Sequence, residues 1–419
     1  MLNEVFSGKL AVVGMGYIGL PTATVLATRG VQVTGVDVNP RIVEAISHGE
    51  TPFIEPDLAI AVSGAVAMGR LSMSREMPEA DAFIIAVPTP FNADHTADLS
   101  YVQAAAEEVA RKLRPGNIVV LESTSPPGTT DKVSRWIGAI RPDLKMPHVV
   151  GASADVYVAH CPERVLPGRI MIEMITNNRV VGGLTTACAI KAASIYRVFS
   201  QGEILLTDAA SAEMAKLVEN AYRDVNIAFA NELSLITESL RLDVWEVIRL
   251  ANQHPRVNVL SPGPGVGGHC IPVDPWFIVA AAPDLAKLIR TAREVNDNKP
   301  HHVAEQVIAK AGRFVSPSIA CLGLTFKANV DDVRESPAIE VVSLIAKGLP
   351  DVEVMVADPY VDELPDTLRS NANLRLVNAG EAVDVADIIV LLVEHEAFKA
   401  LRHTRQNGKV VYDTRGAWA

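Results

Sequence analysis

The chain has 419 residues, 49% apolar and 21% charged, which suffices for a sizeable core in two or three domains and excludes disorder and collagen-like repeats. Its 38 cations against 49 anions leave a net charge of −11, so bulk charge disfavours nucleic acid or an anionic membrane as partner, and an anionic ligand needs locally gathered Arg and Lys. The four cysteines, Cys161, Cys188, Cys270 and Cys321, are dispersed without a C-x-x-C pair, which suggests neither a disulfide framework nor a zinc site and fits a reducing, cytoplasmic setting.

The uncharged stretch 10–28 is interrupted by Gly14, Gly16, Gly19 and Pro21, which reads against a membrane span, and no secretion signal is evident. Short apolar runs, LAVVG at 10–14, VQVTGVD at 31–37, DAFIIAVP at 81–88 and NIVVLEST at 117–124, alternate with helical stretches. That alternation predicts a parallel sheet covered by helices. From 203 to 254 there is no glycine or proline, and Met214, Leu217, Val218, Ala221, Tyr222, Val225 and Phe229 recur at helical spacing. One long amphipathic helix is expected there, linking two lobes and offering a stripe for a dimer interface. A Gly/Pro-dense loop follows at 261–275, then helical texture to about 311. Strand-like runs resume at 318–324, 352–358, 386–393 and 409–413. The expected class is α/β, with two Rossmann-like parallel-sheet domains joined by a long central helix and a helical middle. The expected boundaries are 1–203, 204–311 and 312–419.

The motif Gly14-Met15-Gly16-Tyr17-Ile18-Gly19 follows a strand, opens a helix, and precedes Asp37 at the end of the next strand. That context makes it a dinucleotide fingerprint: one glycine for the tight turn, one for close approach of the pyrophosphate, one for helix–strand packing. Backbone amides around Tyr17 and Ile18 would face the phosphates. Asp37 would accept from the ribose hydroxyls and repel a 2′-phosphate, which favours NAD over NADP. Arg41 is an adenosine-pocket residue or a solvated cation. Thr89 and Thr124 follow predicted strands, where open sheets bind ligands, or they serve only the turns.

The segment 263–270 carries Cys270 after several glycines. Exposed amides there could cradle a pyrophosphate or an oxyanion, and the cysteine is either a nucleophile or a small buried hydrophobe. His269 beside it does not make a metal cage, and no metal is expected. Asp274 could position water or pair with a lysine, or simply shape the turn before Pro275. Lys216 and Asn220 share a helix face and could meet one ligand, with Glu213 and Lys216 as a surface ion pair the plainer reading. Glu163 and Arg164 are surface charges or site residues.

Taken together, GMGYIG, VPTP, STSPPGT, CPERVLPG, AKLVENAYRDVNIAFANE, GPGVGGHCIPVDP, GLTFKANVDDVRESP and DTRG resemble the UDP-glucose/GDP-mannose dehydrogenase family over essentially the whole chain. HPRVN at 254–258 with the loop at 262–277 is most similar to its branch acting on UDP-N-acetyl-D-mannosamine. The resemblance implies oxidation of the sugar C6 alcohol to a carboxylate with two NAD⁺ in succession, Cys270 forming a thiohemiacetal and then a thioester. It implies Lys216 for proton transfer or oxyanion stabilisation, Asn220 sharing the oxyanion role, Asp274 linked to Lys216 and water, and Thr124 and Glu163 for that water. Relatives acting on UDP-glucose carry a second glutamate where this chain has Pro167. By the same resemblance Arg164, Val165, Arg223, His254, Arg256 and Gly267 contact the UDP-sugar, Phe326, Lys327 and Arg415 hold the uridine diphosphate, and Arg334 reaches NAD. A homodimer or higher homo-oligomer and a precursor of surface polysaccharide are implied as well. The rivals are a UDP-N-acetylglucosamine 6-dehydrogenase and, from another class, an inactive nucleotide-sugar-binding regulator.

Overall fold

The computed structural model describes residues 4–53, 55–92, 94–166, 168–268, 270–403 and 408–418. It divides into two compact units, Met1–Val218 and Glu219–Ala419. Among the described residues no helix is long and apolar enough to cross a membrane.

The first unit holds β1 (Lys9–Val13), β2 (Gln32–Val36), β3 (Leu71–Ser74), β4 (Ala82–Ile85), β5 (Ile118–Leu121), β6 (Tyr157–His160), β7 (Arg179–Gly183) and β8 (Ile204–Asp208). Their order is β3-β2-β1-β4-β5-β6-β7-β8, the first six in the doubly wound arrangement. The central strands are apolar throughout because helices cover both faces. Leu10, Val12, Ile84 and Val120 enter one core cluster, while Ala11, Val13, Phe83, Ile85, Val119 and Leu121 enter the other, as the period of two requires.

The parallel sheet has one exception, since β6 and β7 pair antiparallel. β8 pairs with β7 from Arg179↔Ile204 to Gly183↔Asp208, which carries the sheet to 208. The single helix expected across 203–254 becomes β8, a helix Ala209–Leu240 and a helix Val244–Ala251. The break falls at Arg241, whose φ is 56°, a left-handed conformation that no glycine announces. Asp243 then caps the next helix by accepting from the Trp245 N–H at 2.9 Å. On the long helix Leu217 and Ala221 are buried, whereas Met214, Val218, Tyr222 and Phe229 are exposed.

The second unit carries the helices Asp274–Ala281 and Lys287–Ala311 and a five-stranded sheet of β9 (Ile319–Leu322), β10 (Val354–Ala357), β11 (Leu374–Leu376), β12 (Ile388–Leu391) and β13 (Val410–Asp413). Its order is β11-β10-β9-β12-β13, with every pair parallel. Ile319 and Cys321 face one cluster, Ala320 and Leu322 the other. The second Rossmann-like lobe thus repeats the logic of the first with fewer strands.

Candidate active site

In the first unit the turn after β1 separates the three glycines by task. Gly14 has φ 89°, and a Cβ there would stand 2.7 Å from the Ala86 carbonyl oxygen. At Gly19 a Cβ would collide with the Gly14 carbonyl, whereas none of the described residues beyond its chain neighbours lies within 4 Å of one at Gly16. Asp37, just past β2, accepts from the Met15 N–H at 2.9 Å and the Asn39 N–H at 2.9 Å. A carboxylate has about four lone-pair sites, so two amides leave acceptor capacity for ribose hydroxyls. The open cradle at Gly16 and the anchored Asp37 fit a dinucleotide. Tyr17 and Ile18 are half-buried, and Arg41 is exposed.

The loops after β4 and β5 are joined by two side chains. The Thr89 hydroxyl donates to the Thr124 carbonyl at 2.6 Å, and the Ser123 hydroxyl to the Val87 carbonyl at 2.6 Å. Glu213, expected as a surface ion pair with Lys216, is fully buried. It accepts from the Gly128 N–H at 2.6 Å and from the Thr130 N–H and hydroxyl at 2.7 and 2.6 Å. It therefore caps the helix Thr129–Ile140, whose opening amides would otherwise lack partners. Spacing placed Glu213 on a helix, but only the tertiary fold shows which amides it meets.

Glu163 is buried too, which removes its reading as a surface charge. One oxygen accepts from the Arg164 N–H at 2.7 Å and the other from the buried Arg179 guanidinium at 3.0 Å. Arg179 lies 5.0 Å from the ring centres of both Tyr196 and Phe199. Beside this pair Glu122 accepts from the Thr22 hydroxyl at 3.0 Å and the Tyr196 hydroxyl at 3.2 Å. Burial, and then the Glu163 charge, pushes the Glu122 carboxyl up to about 8. Burial opposes the charge on Arg179, but Glu163 and its other neighbours more than offset that and hold its pKa above the ordinary value. The Cys161 thiol is pushed up to about 12, chiefly by burial, and is inert as a nucleophile. Sequence reasoning missed Glu122 and Arg179, which carry no local motif. Arg164 and Val165 are half-buried. Pro167 lies outside the described residues.

In the second unit the thiol loop lies against the C-terminal lobe. A Cβ on Gly265, at φ 147°, would stand 2.7 Å from Pro337; one on Gly267 would stand 2.8 Å from Phe326, and one on Gly263 would collide with the Arg415 guanidinium. These glycines therefore serve protein packing, where a ligand was expected to approach. The same packing gathers three residues expected at the substrate: Gly267, Phe326 and Arg415. Arg415 also donates to Glu394 at 2.7 Å.

Cys270 is exposed, and its carbonyl accepts from the Asp274 N–H at 2.9 Å. Asp274 is buried at the start of its helix and accepts from the Asn220 side-chain amide at 2.5 Å. Lys216 stands one helical turn before Asn220. His269 lies outside the described residues. Arg334 forms a two-bond pair with Asp332 at 2.8 and 2.6 Å, and Lys327 is exposed. Arg223, His254 and Arg256 are exposed, the last donating its N–H to the His254 ring at 3.3 Å.

The loop after β9 has a support that sequence reasoning passed over. Asp358 accepts from the Leu324 and Thr325 N–H groups at 2.6 and 3.2 Å. His395, fully buried, lies 3.1 Å from Asp358 and accepts at Nδ1 from the Asn329 N–H at 3.0 Å. Accepting at Nδ1 leaves Nε2 as the protonated nitrogen that donates to Asp358. Burial alone would raise Asp358, but the His395 bond and the amides outweigh it and hold its pKa below the usual carboxylate range. The signal was present: VEVMVAD ends in the same aspartate after a strand as VQVTGVD.

Comparison with known proteins gives a consistent set of likenesses. Descriptions of the UDP-glucose/GDP-mannose dehydrogenase family match as NAD binding domain over 8–200, central domain over 210–298 and UDP binding domain over 320–419. The chain is 54% identical to an NDP-N-acetyl-D-galactosaminuronic acid dehydrogenase of Ralstonia nicotianae, over 98% of this chain and 96% of that one. It is 51% identical to a UDP-N-acetyl-D-mannosamine dehydrogenase of Escherichia coli, over 98% and 99%. Among solved structures, a UDP-D-ManNAc dehydrogenase from Pyrococcus horikoshii superposes with a TM-score of 0.86 at 37% identity, covering 98% and 96%.

Proposed function

The chain belongs to the UDP-glucose/GDP-mannose dehydrogenase family, and from that premise we propose that it oxidises C6 of UDP-N-acetyl-D-mannosamine to the uronate. It is an NAD-dependent oxidoreductase of UDP-sugars. The observation that carries the mechanism is the exposed Cys270 at the end of a glycine loop whose Asp274 is held by Asn220.

Residues Gly14, Gly16, Tyr17, Ile18, Gly19, Asp37 and Thr89 would hold NAD, with Arg41 at its adenosine end and Arg334 as a further contact. Bound there, NAD⁺ supplies the hydride acceptor for each of the two oxidation steps. The Cys270 thiolate adds to the C6 aldehyde, because the carbonyl carbon has no good hydride to give until a nucleophile makes it tetrahedral. Oxidation of that thiohemiacetal leaves a thioester on Cys270, which water cleaves to the carboxylate and free thiol. Lys216 and Asn220 stabilise the C6 oxygen as its charge develops, a donor role worth about 10²–10³ in rate. Asp274 accepts from Asn220, and Thr124 and Glu163 hold the hydrolytic water.

Arg164, Val165, Arg223, His254, Arg256, Gly267, Phe326, Lys327 and Arg415 would bind the UDP-sugar, its diphosphate paired with arginine. The product suits the assembly of surface polysaccharide. A reducing cytoplasm and a homodimer complete the reading.

The relative named for N-acetyl-D-galactosaminuronic acid, at 54% against 51% identity, favours a second reading in which the sugar is N-acetyl-D-galactosamine. The test is NADH formed per sugar at limiting UDP-N-acetylmannosamine, UDP-N-acetylgalactosamine, UDP-N-acetylglucosamine and UDP-glucose. Two NADH from the first alone support the proposal, and two from another sugar move the substrate to that sugar. One NADH per sugar removes the thioester, as does Cys270→Ala with full turnover. No NADH from any sugar supports a binding protein without catalysis.

A further inference from the structure

The thiol loop is held at its far end by Asn220 through Asp274, and its near end is held by the same long helix in a different way. Asn231 lies further along that helix, about 16 Å beyond Asn220 at 1.5 Å per residue. Its side-chain oxygen accepts from the Gly263 N–H at 2.9 Å. Behind it stands a file of buried polar groups. The Asn231 amide donates to Asn296 at 2.9 Å, and the Asn296 amide donates to Asp224 at 2.7 Å. Asp224 also accepts from Arg293 at 2.5 Å, and Arg293 pairs in turn with Asp297. Asp224, Asn231, Arg293 and Asn296 are each no more than 1% exposed.

This file has only one consistent direction. An ionised aspartate only accepts, so Asn296 must present its NH₂ to Asp224 and its oxygen to Asn231. Asn231 must then present its NH₂ to Asn296, which leaves its oxygen for Gly263. Reversing either amide would set donor against donor, or acceptor against acceptor, in a dry interior where an unsatisfied polar group is strongly disfavoured. The carboxylate at one end thereby dictates which atom meets the loop at the other.

We propose that Asp224, Asn296 and Asn231 are positioning residues, a directional hydrogen-bond file that fixes the entry of the loop carrying Cys270. The inference rests on the reading of Cys270 as the nucleophile, and none of the three touches substrate. Asn231→Asp tests it, because a carboxylate there cannot donate to Asn296 and the file loses its direction.

For the single variant the expectation is a fall in kcat of about tenfold to a hundredfold, the scale of a small misplacement, with the KM for NAD⁺ within about twofold, since the cofactor turn is untouched. Alkylation of Cys270 by iodoacetate changes, and amide exchange across 260–268 accelerates. Parental kcat, alkylation and exchange in the single variant overturn the proposal. Should the single variant not fold, fast exchange of the Gly263 amide in the parent protein overturns it alone. Alkylation and exchange need no turnover, so a failure of the nucleophile reading, seen as an active Cys270→Ala, remains distinguishable.

Discussion

Glu122 is the residue whose protonation the fold most clearly alters. With its carboxyl pushed up to about 8, chiefly by burial, the folded protein keeps a proton that the unfolded chain gives up near the ordinary carboxylate value. The folded state therefore binds more protons between those limits, so stability is greatest below them and is lost as pH rises towards about 8. Glu122→Gln resembles the protonated acid, and the Thr22 and Tyr196 hydroxyls can turn to suit an amide. The variant should match the parent near pH 5, melt several degrees higher near pH 9 and show a flatter slope between. Thermal melts of both proteins across that range are the measurement, and parallel slopes would show that Glu122 does not titrate there. None of this was legible in the sequence, where Glu122 is one carboxylate at the end of an apolar run. The glycines and Asp37 were legible, because their tasks are set by backbone geometry within one βαβ unit.

Elements were legible where burial writes a pattern and obscure where it does not. The strand-like runs at 10–14, 81–88 and 117–124 contain β1, β4 and β5, all flanked on both faces by helices. β3, with the sequence LSMS, and β8, with exposed Leu205 and Leu206, are edge strands that bury too little to stand out. Glu213 shows what an element gains from a partner distant in sequence. On the long helix it satisfies three donors at the start of Thr129–Ile140, and burial still holds its carboxyl above the ordinary value, those bonds offsetting it only in part. Glu213→Ala leaves those donors buried without an acceptor and should cost about 1–3 kcal/mol in urea unfolding. Because the freed turn follows Thr124, proposed above to hold the hydrolytic water, kcat should fall with it. Glu213→Gln keeps one acceptor oxygen and should lose less. Equal stability of the alanine variant and the parent would show that water replaces the cap.

At the scale of the whole molecule the long helix poses the remaining question. Met214, Val218, Tyr222, Phe229, Ile236 and Leu240 form an exposed apolar row along Ala209–Leu240, and a contiguous row of that kind on a soluble surface marks an interaction face. The sequence showed the helix but merged this row with Leu217 and Ala221, which are buried, because periodicity alone does not tell a face covered by its own chain from one covered by a copy. A two-fold dimer would set each helix against its counterpart and use the same residues twice. The chain's net charge of −11 opposes association in general, so a dimer would rest on apolar contact and would persist at high salt. Tyr222→Glu with Phe229→Glu places four new carboxylates in a two-fold contact, a charge burial that such an interface cannot offset. Sedimentation should give twice 44.9 kDa for the parent and the monomer mass for the double variant, with melting of the isolated chain shifted down only slightly. A parent that sediments as a monomer sinks the dimer, and a double variant that remains dimeric moves the interface to another surface.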